Sequence, residues 1–251
     1  MYQKYRPPSA NVLPLAVKNL LIINGLFFLA TIVLNDRKIL DLTKIFGLFY
    51  PASEYFKPYQ FFTYMFMHGN FYHIFFNMVS LWMFGSTIEN YWGWKRFSIF
   101  YVVTALGGAI IYLIVKYFEI NQLKQQLPID LYNSVINEGV QIFKGGQMYS
   151  NSKANDLYYM INAPVIGASG AVYGVLLAFG MMFPNTEIMM LFLPIPIKAK
   201  YLVLIMGAME LLLGINNRAG DNVAHFAHLG GMLFGFILVK YWNKNNRKTL
   251  Y

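Results

Sequence analysis

The stretch at 16–34, AVKNLLIINGLFFLATIVL, limits what this chain can become. It is about as long as a helix needs to cross a bilayer, roughly 20 apolar residues. It exceeds the apolar core of a secretory signal, and no A-x-A site follows it, so it reads as a retained span. Further candidate spans lie at 71–88, 97–118, 165–183, 199–215 and 223–242. Composition agrees with this reading. Of 251 residues, 57% are hydrophobic and 12% charged, where soluble domains carry about 25% charge. Aromatic residues reach 18%, as in chains rich in interfacial belts. The expected fold class is an all-α membrane protein with six transmembrane helices in a compact bundle.

A net charge of +9 would suggest nucleic acid in a soluble protein. Here it reports topology, and no nucleic-acid partner is expected. With the N-terminus placed in the cytoplasm, the inner segments hold Lys4, Arg6, Lys18, Lys95, Arg96, Lys198, Lys200, Lys240, Lys244, Arg247 and Lys248, against only Glu89 and Glu187. Most acids, among them Asp36, Asp41, Glu54, Glu119, Asp130, Glu138, Asp156 and Asp221, fall on the other side. This is the positive-inside pattern, and it makes both termini cytoplasmic. The expected organisation is a short leader at 1–15, a membrane domain at 16–242 and a basic tail at 243–251. Within the membrane domain, 119–163 is a polar extracytoplasmic insert, broken by Pro128 and Gly145-Gly146. A short amphipathic helix is expected at 129–143. The first loop, 35–70, is aromatic, is interrupted by Pro51 and Pro58, and is expected partly in the outer interface. The chain has no cysteine, which excludes disulfides, iron–sulfur clusters and a thiol nucleophile.

The run PVIGASGAVYGVLLA at 164–178 places a hydroxyl among small residues. Flanked by Gly167, Ala168 and Gly170, Ser169 is sterically open. It is either a packing serine of the kind common at helix contacts or a nucleophile. Other polar residues inside spans bear on the choice, because they are expensive there and mark function. His73 and Asn77 share a helix face at i, i+4, and His225 and His228 at i, i+3. In the expected topology, spans two, four and six all run from the outside inward. His73, Ser169 and His228 then lie at one depth, in the outer third of the membrane. Gly170, Gly174 and Ala178 form a small-residue stripe on span four, and Gly231 and Gly235 form one on span six. Such stripes let backbones approach. If they face each other, His228 meets Ser169 as its base, and His73 and Asn77 can donate to an oxyanion.

HGNFYHIFFN, GASGAVYG and AHLGGMLFG, in that order and on alternate spans, resemble the rhomboid family of intramembrane serine proteases, in its bacterial six-span form. Each motif is weak alone; together they cover most of 16–242 outside the insert. The resemblance implies Ser169 as nucleophile, His228 as base, and His73, Asn77 and the Ser169 backbone N–H as oxyanion donors. It implies that Tyr173 packs on the catalytic imidazole and that Gly231 permits close approach of span six. It implies a structural role for Glu89 at the inner turn. The substrates implied are single-span or other membrane proteins, met in the lipid bilayer, with no cofactor and no metal. The implied location is a bacterial inner membrane, with the site open to the extracytoplasmic side. Two features depart from the family pattern. Tyr59-Gln60 stands where many members carry Trp-Arg, which puts the anchoring of the first loop in question. The 119–163 insert is longer than in minimal members and is expected to cover the site mouth or bind a partner. A catalytically silent, rhomboid-like protein that binds membrane clients is the alternative; such relatives typically lose the Ser or the His, and both are present here.

The remaining polar residues have plainer readings. His225 is expected to meet water at its helix start, and His68 to bond loop backbone. A zinc site from His73, His225 and His228 is disfavoured, since neither cysteine nor an inward carboxylate is evident beside them. Glu210, near the outer end of span five, is expected to be solvated or paired to a neighbouring helix. With no acid evident to orient His228, Tyr173 packing is left to do so. A protonated imidazole cannot accept the serine proton. Cleavage of a transmembrane substrate is therefore expected to fall as His228 becomes protonated. A rate that does not fall in acid would count against His228 as base.

Overall fold

The structure is a computed structural model that describes residues 11–190, 193–216 and 223–246. Lys4 and Arg6 of the leader, Asp221, and Arg247 and Lys248 of the tail lie outside the described residues. Helix α1 (Leu15–Asp36) leads into a loop carrying two short helices, α2 (Leu42–Phe46) and α3 (Gln60–Thr63), the latter continued by a 3-10 turn. α4 (Phe71–Ser80) passes through a π turn at Leu81–Gly85 into α5 (Ser86–Trp92). α6 (Trp94–Gln126) follows, then α7 (Ile129–Asn137), α8 (Gly139–Lys144) and α9 (Ser152–Asn162). α10 (Ser169–Met182) is joined to α11 (Ala199–Asn216) through a hairpin of β1 (Glu187–Met190) and β2 (Leu193–Lys198), and α12 (His225–Asn246) ends the described chain. The hairpin is antiparallel, with Glu187 opposite Lys198 and Ile188 opposite Ile197. The described part of the protein is thus all-α apart from this hairpin.

Three helices, α1, α6 and α11, are long and apolar enough to cross a membrane, and α10 is a shorter apolar helix. The outer faces of α1 and α11 carry exposed Leu26, Leu29, Leu204 and Leu212, side chains suited to lipid rather than water. α6 has 33 residues, about 50 Å at 1.5 Å per residue, well beyond a hydrocarbon core of about 30 Å. Its excess length carries α7, α8 and α9. These pack on a small core of their own, made by Ile120, Leu127, Val135, Ala154, Leu157 and Ile161. The 129–143 segment is two helices, α7 and α8, rather than one. Phe143 of α8 stacks on Tyr158 of α9 at 3.7 Å between ring centroids. Asn162 accepts from Ser53 Oγ at 2.7 Å, which ties the insert to the first loop.

α10 sits in the centre, buried along most of its length. It packs on α12 and α6 through glycines. A Cβ at Gly174 would lie 2.7 Å from Thr104 of α6 and 3.0 Å from the Gly231 carbonyl of α12. One at Gly235 would lie 3.2 Å from the Gly174 carbonyl. One at Gly108 of α6 would lie 2.6 Å from the Ala227 carbonyl. In a membrane, where lipid is as apolar as leucine, close backbone approach of this kind is a main source of association.

Two buried polar side chains tie the periphery together. Gln60, fully buried, occupies the position where the Trp-Arg pair was missed. Its Oε1 accepts from Lys57 N–H at 3.0 Å and Phe49 N–H at 3.4 Å, and its Nε2 donates to Ile45 and Tyr55 carbonyls at 3.1 and 2.9 Å. A neutral amide therefore holds the first loop. Glu89 of α5, 3% exposed, accepts from Ala16 and Val17 N–H, each at 2.8 Å. Those N–H groups belong to the first turn of α1 and have no partner inside their own helix. The carboxylate also faces the positive end of the α1 dipole. Glu89→Ala strands both donors and is expected to cost about 2–4 kcal/mol. The thermal midpoint in detergent should fall by several degrees; an unchanged midpoint would refute the capping role.

Candidate active site

Ser169 is the first residue of α10, and the four residues before it are not helical as the 165–183 span required. Val165 instead pairs with Leu48 of the first loop through two backbone hydrogen bonds of 2.9 Å, and Gly167 N–H donates to the Tyr64 carbonyl at 3.0 Å. Gly167 has φ +130°, a conformation that glycine tolerates and L side chains rarely adopt. A Cβ there would also lie 2.7 Å from His73 Nε2 and 3.5 Å from Ser169 Oγ. The glycine is thus required twice, by its dihedral and by the approach of His73.

His228 Nε2 lies 2.7 Å from Ser169 Oγ, at hydrogen-bond distance. Above the imidazole, the Tyr173 ring stacks nearly parallel, with centroids 4.3 Å apart and planes 6° apart. The approach of α12 behind this contact is set by Gly231, where a Cβ would overlap the Gly170 carbonyl. His73 comes from the start of α4, where Asn70 caps the helix by accepting from His73 N–H at 2.9 Å. Gly69 N–H points to His73 Nδ1 at a long 3.5 Å. That contact favours the tautomer with the proton on Nε2, directed at the turn before Ser169; the assignment rests on geometry. Asn77 donates one amide hydrogen to the His73 carbonyl at 2.9 Å, which leaves its second hydrogen available. His68 is a buried loop residue whose ring packs edge-on against His73, with centroids 5.0 Å apart.

These groups open onto one cavity of about 1320 Å³. Ser169, His73, Asn77 and His228 line it beside Phe76 of α4 and Leu202 and Met206 of α11. Asp156 and Tyr159 of α9 reach the same cavity, so the insert forms part of its wall.

Of the two expectations for Glu210, pairing to neighbouring helices holds and solvation does not. The residue is 7% exposed. Tyr173 OH donates to its Oε1. Its Oε2 lies 2.6 Å from His225 Nδ1 and 2.9 Å from His228 Nδ1. The 2.9 Å separation is an ion-pair distance, but the oxygen is out of line with the ring N–H, so the pair is not an aligned hydrogen bond. His225, expected to meet water, is buried against this carboxylate. An inward acid does stand beside the histidines. The set whose ligand atoms lie within 4.8 Å of one another is Glu210, His225 and His228, and it does not include His73. This trio has the donor types of a metal site. Its donors are already paired with one another through Oε2. One signal in the sequence pointed to Glu210: in the expected topology span five runs toward the outer side, which would put an acid near its end at the depth expected for Ser169 and His228.

A protein-family model described as Rhomboid domain matches residues 55–122 and 132–244. Rhomboid protein 1, mitochondrial, of Saccharomyces cerevisiae is 27% identical over 179 residues, which is 71% of this chain and 40% of that protein. The chain therefore spans less than half the length of this curated relative.

The glycine seam yields a paired test. Gly231→Ala forces α12 away from α10, an overpacking expected to cost about 1–3 kcal/mol or more and to pull His228 from Ser169. Gly25→Ala in α1, where a Cβ meets nothing within 4 Å, is expected to leave the thermal midpoint and activity unchanged. Equal behaviour of the two variants would refute the seam.

Proposed function

The chain belongs to the rhomboid family, and on that premise we propose that it is an intramembrane serine endopeptidase that cleaves other membrane proteins in or near their transmembrane segments. The observation that carries this reading is the 2.7 Å contact of Ser169 Oγ with His228 Nε2 at the wall of a cavity that apolar side chains of α4 and α11 also line. His228 takes the Ser169 proton as the hydroxyl attacks the scissile carbonyl. Negative charge on that carbonyl oxygen is met by donors preorganised around the helix start: His73 Nε2–H, Asn77 and the Ser169 backbone N–H. His228 then protonates the leaving amine, and water, activated in the same way, hydrolyses the acyl-enzyme.

A helical substrate hides its carbonyls in its own hydrogen bonds, so it must unwind locally to be cut. The cavity walls on α4 and α11 suit sideways entry of such a segment from the bilayer. In this reading the chain crosses the membrane six times, keeps both ends inside, and opens the site to the outer side of a bacterial inner membrane.

Purified protein with a model transmembrane substrate tests the chemistry. Ser169→Ala is expected to lower cleavage by about 10³-fold or more, and His73→Ala by about 10²–10³-fold. Cleavage that survives Ser169→Ala would sink the serine mechanism. Equal inactivity of wild type and variant, with client binding retained, would favour the silent client-binding protein. Orientation is open to a separate test, because the chain has no native cysteine. Lys153→Cys on α9 should react with a membrane-impermeant maleimide on intact cells, and Lys95→Cys only after permeabilisation. The reverse pattern would invert the topology.

A further inference from the structure

We propose that Glu210 is a positioning residue that completes a Ser169–His228–Glu210 set, accepting a hydrogen bond from His228 Nδ1–H so that Nε2 stays bare toward Ser169. This rests on the protease reading above and deepens it. A dyad leaves the imidazole free to place its one proton on either nitrogen. With the proton on Nε2, His228 would donate to Ser169 and could not act as its base. A carboxylate only accepts hydrogen bonds, so placed at Nδ1 it selects the useful tautomer. When His228 takes the serine proton, the same carboxylate faces the imidazolium, and the charge that develops has a counter-ion 2.9 Å away.

The surroundings of Glu210 indicate that it is held for this purpose. An acid at this depth is costly unless its oxygens are satisfied. Here Oε1 accepts from Tyr173 OH, and Oε2 faces the Nδ1 atoms of both His225 and His228. Tyr173 therefore has two contacts in the set: its ring lies against the His228 imidazole and its hydroxyl fixes Glu210. His225, on the first residue of α12, secures the shared oxygen from the other side. The approach of Oε2 to His228 Nδ1 is within reach but off-axis in this structure. Catalytic hydrogen bonds are commonly loose without substrate and tighten when it binds.

The test combines kinetics with the nitrogen spectrum of the four histidines. In detergent or proteoliposomes, Glu210→Ala and Glu210→Gln are expected to lower kcat by about 10²–10⁴-fold, with KM moved by less than about threefold. The Tyr173→Phe variant, which keeps the stacked ring and loses the hydroxyl, should show a smaller loss of the same kind. The 15N spectrum of His228, assigned by difference against His228→Ala, should show the proton on Nδ1 in the wild type. It should show a tautomer mixture in Glu210→Ala. A kcat within about threefold of wild type in both Glu210 variants would overturn the proposal, as would a wild-type His228 protonated on Nε2. So would cleavage that is lost on EDTA and restored by zinc, because a metal on Nδ1 replaces the proton of the hydrogen bond that Glu210 is to accept. If the wild type cleaves nothing, the protease reading fails, and the nitrogen spectrum still decides whether Glu210 sets the His228 tautomer.

Discussion

The structure depends on two helix backbones being allowed to touch. α10 and α12 meet at Gly170 against Gly231 and Gly174 against Gly235, with α6 pressed into the same seam at Gly108. No side chain of ordinary size fits between them. In a bilayer there is no water to drive helices together, so contact area between backbones takes over much of that role. The contact between Ser169 and His228 inherits its position from this seam. Ser169 lies one residue before Gly170, and His228 lies one turn before Gly231, so their separation follows from the approach of the two glycine pairs. The opposite end of α12 is packed differently, with Arg96 lying over Trp242 at 4.3 Å and Trp92 edge-on to Trp242.

What could be read from the residues follows from what hydropathy and spacing encode. Both are properties of one helix at a time. They located the apolar helices α1, α6, α10 and α11. They failed where structure depends on partners elsewhere in the chain. The segment 164–167 is apolar and reads as the top of a span, yet it pairs with Leu48 and turns through Gly167, so α10 starts at Ser169. α6 runs past 118 because the residues that follow are polar helix formers, invisible to an apolar window. The hairpin between α10 and α11 was hidden for a similar reason, since a short paired segment has no period long enough to register. Glu210 was undervalued because its three partners lie on two other helices, beyond the reach of i, i+4 reasoning.

The missing Trp-Arg pair shows how one role can be filled by different chemistry. The first loop has to be stiff, because it holds the backbone that turns into Ser169 through Leu48 and Tyr64. A buried guanidinium would bring five donors and a charge. Gln60 brings two donors and an acceptor oxygen, uses them on four backbone groups, and needs no counter-ion. The backbone that leads into Ser169 is therefore supported by neutral hydrogen bonding, whereas the surroundings of His228 include a carboxylate, Glu210.

One dimension of α10 has a consequence for the surrounding lipid. With 14 residues it is about 21 Å tall, roughly 9 Å short of a typical hydrocarbon core. A helix of that height facing lipid would pinch the bilayer or force the acyl chains to tilt. α10 faces lipid almost nowhere; its side chains are buried among α4, α6, α11 and α12. The hydrophobic mismatch is thereby screened from the membrane. The longer apolar helices α1, α6 and α11 set the thickness that lipids feel, and α10, enclosed by its neighbours, is left free to be short.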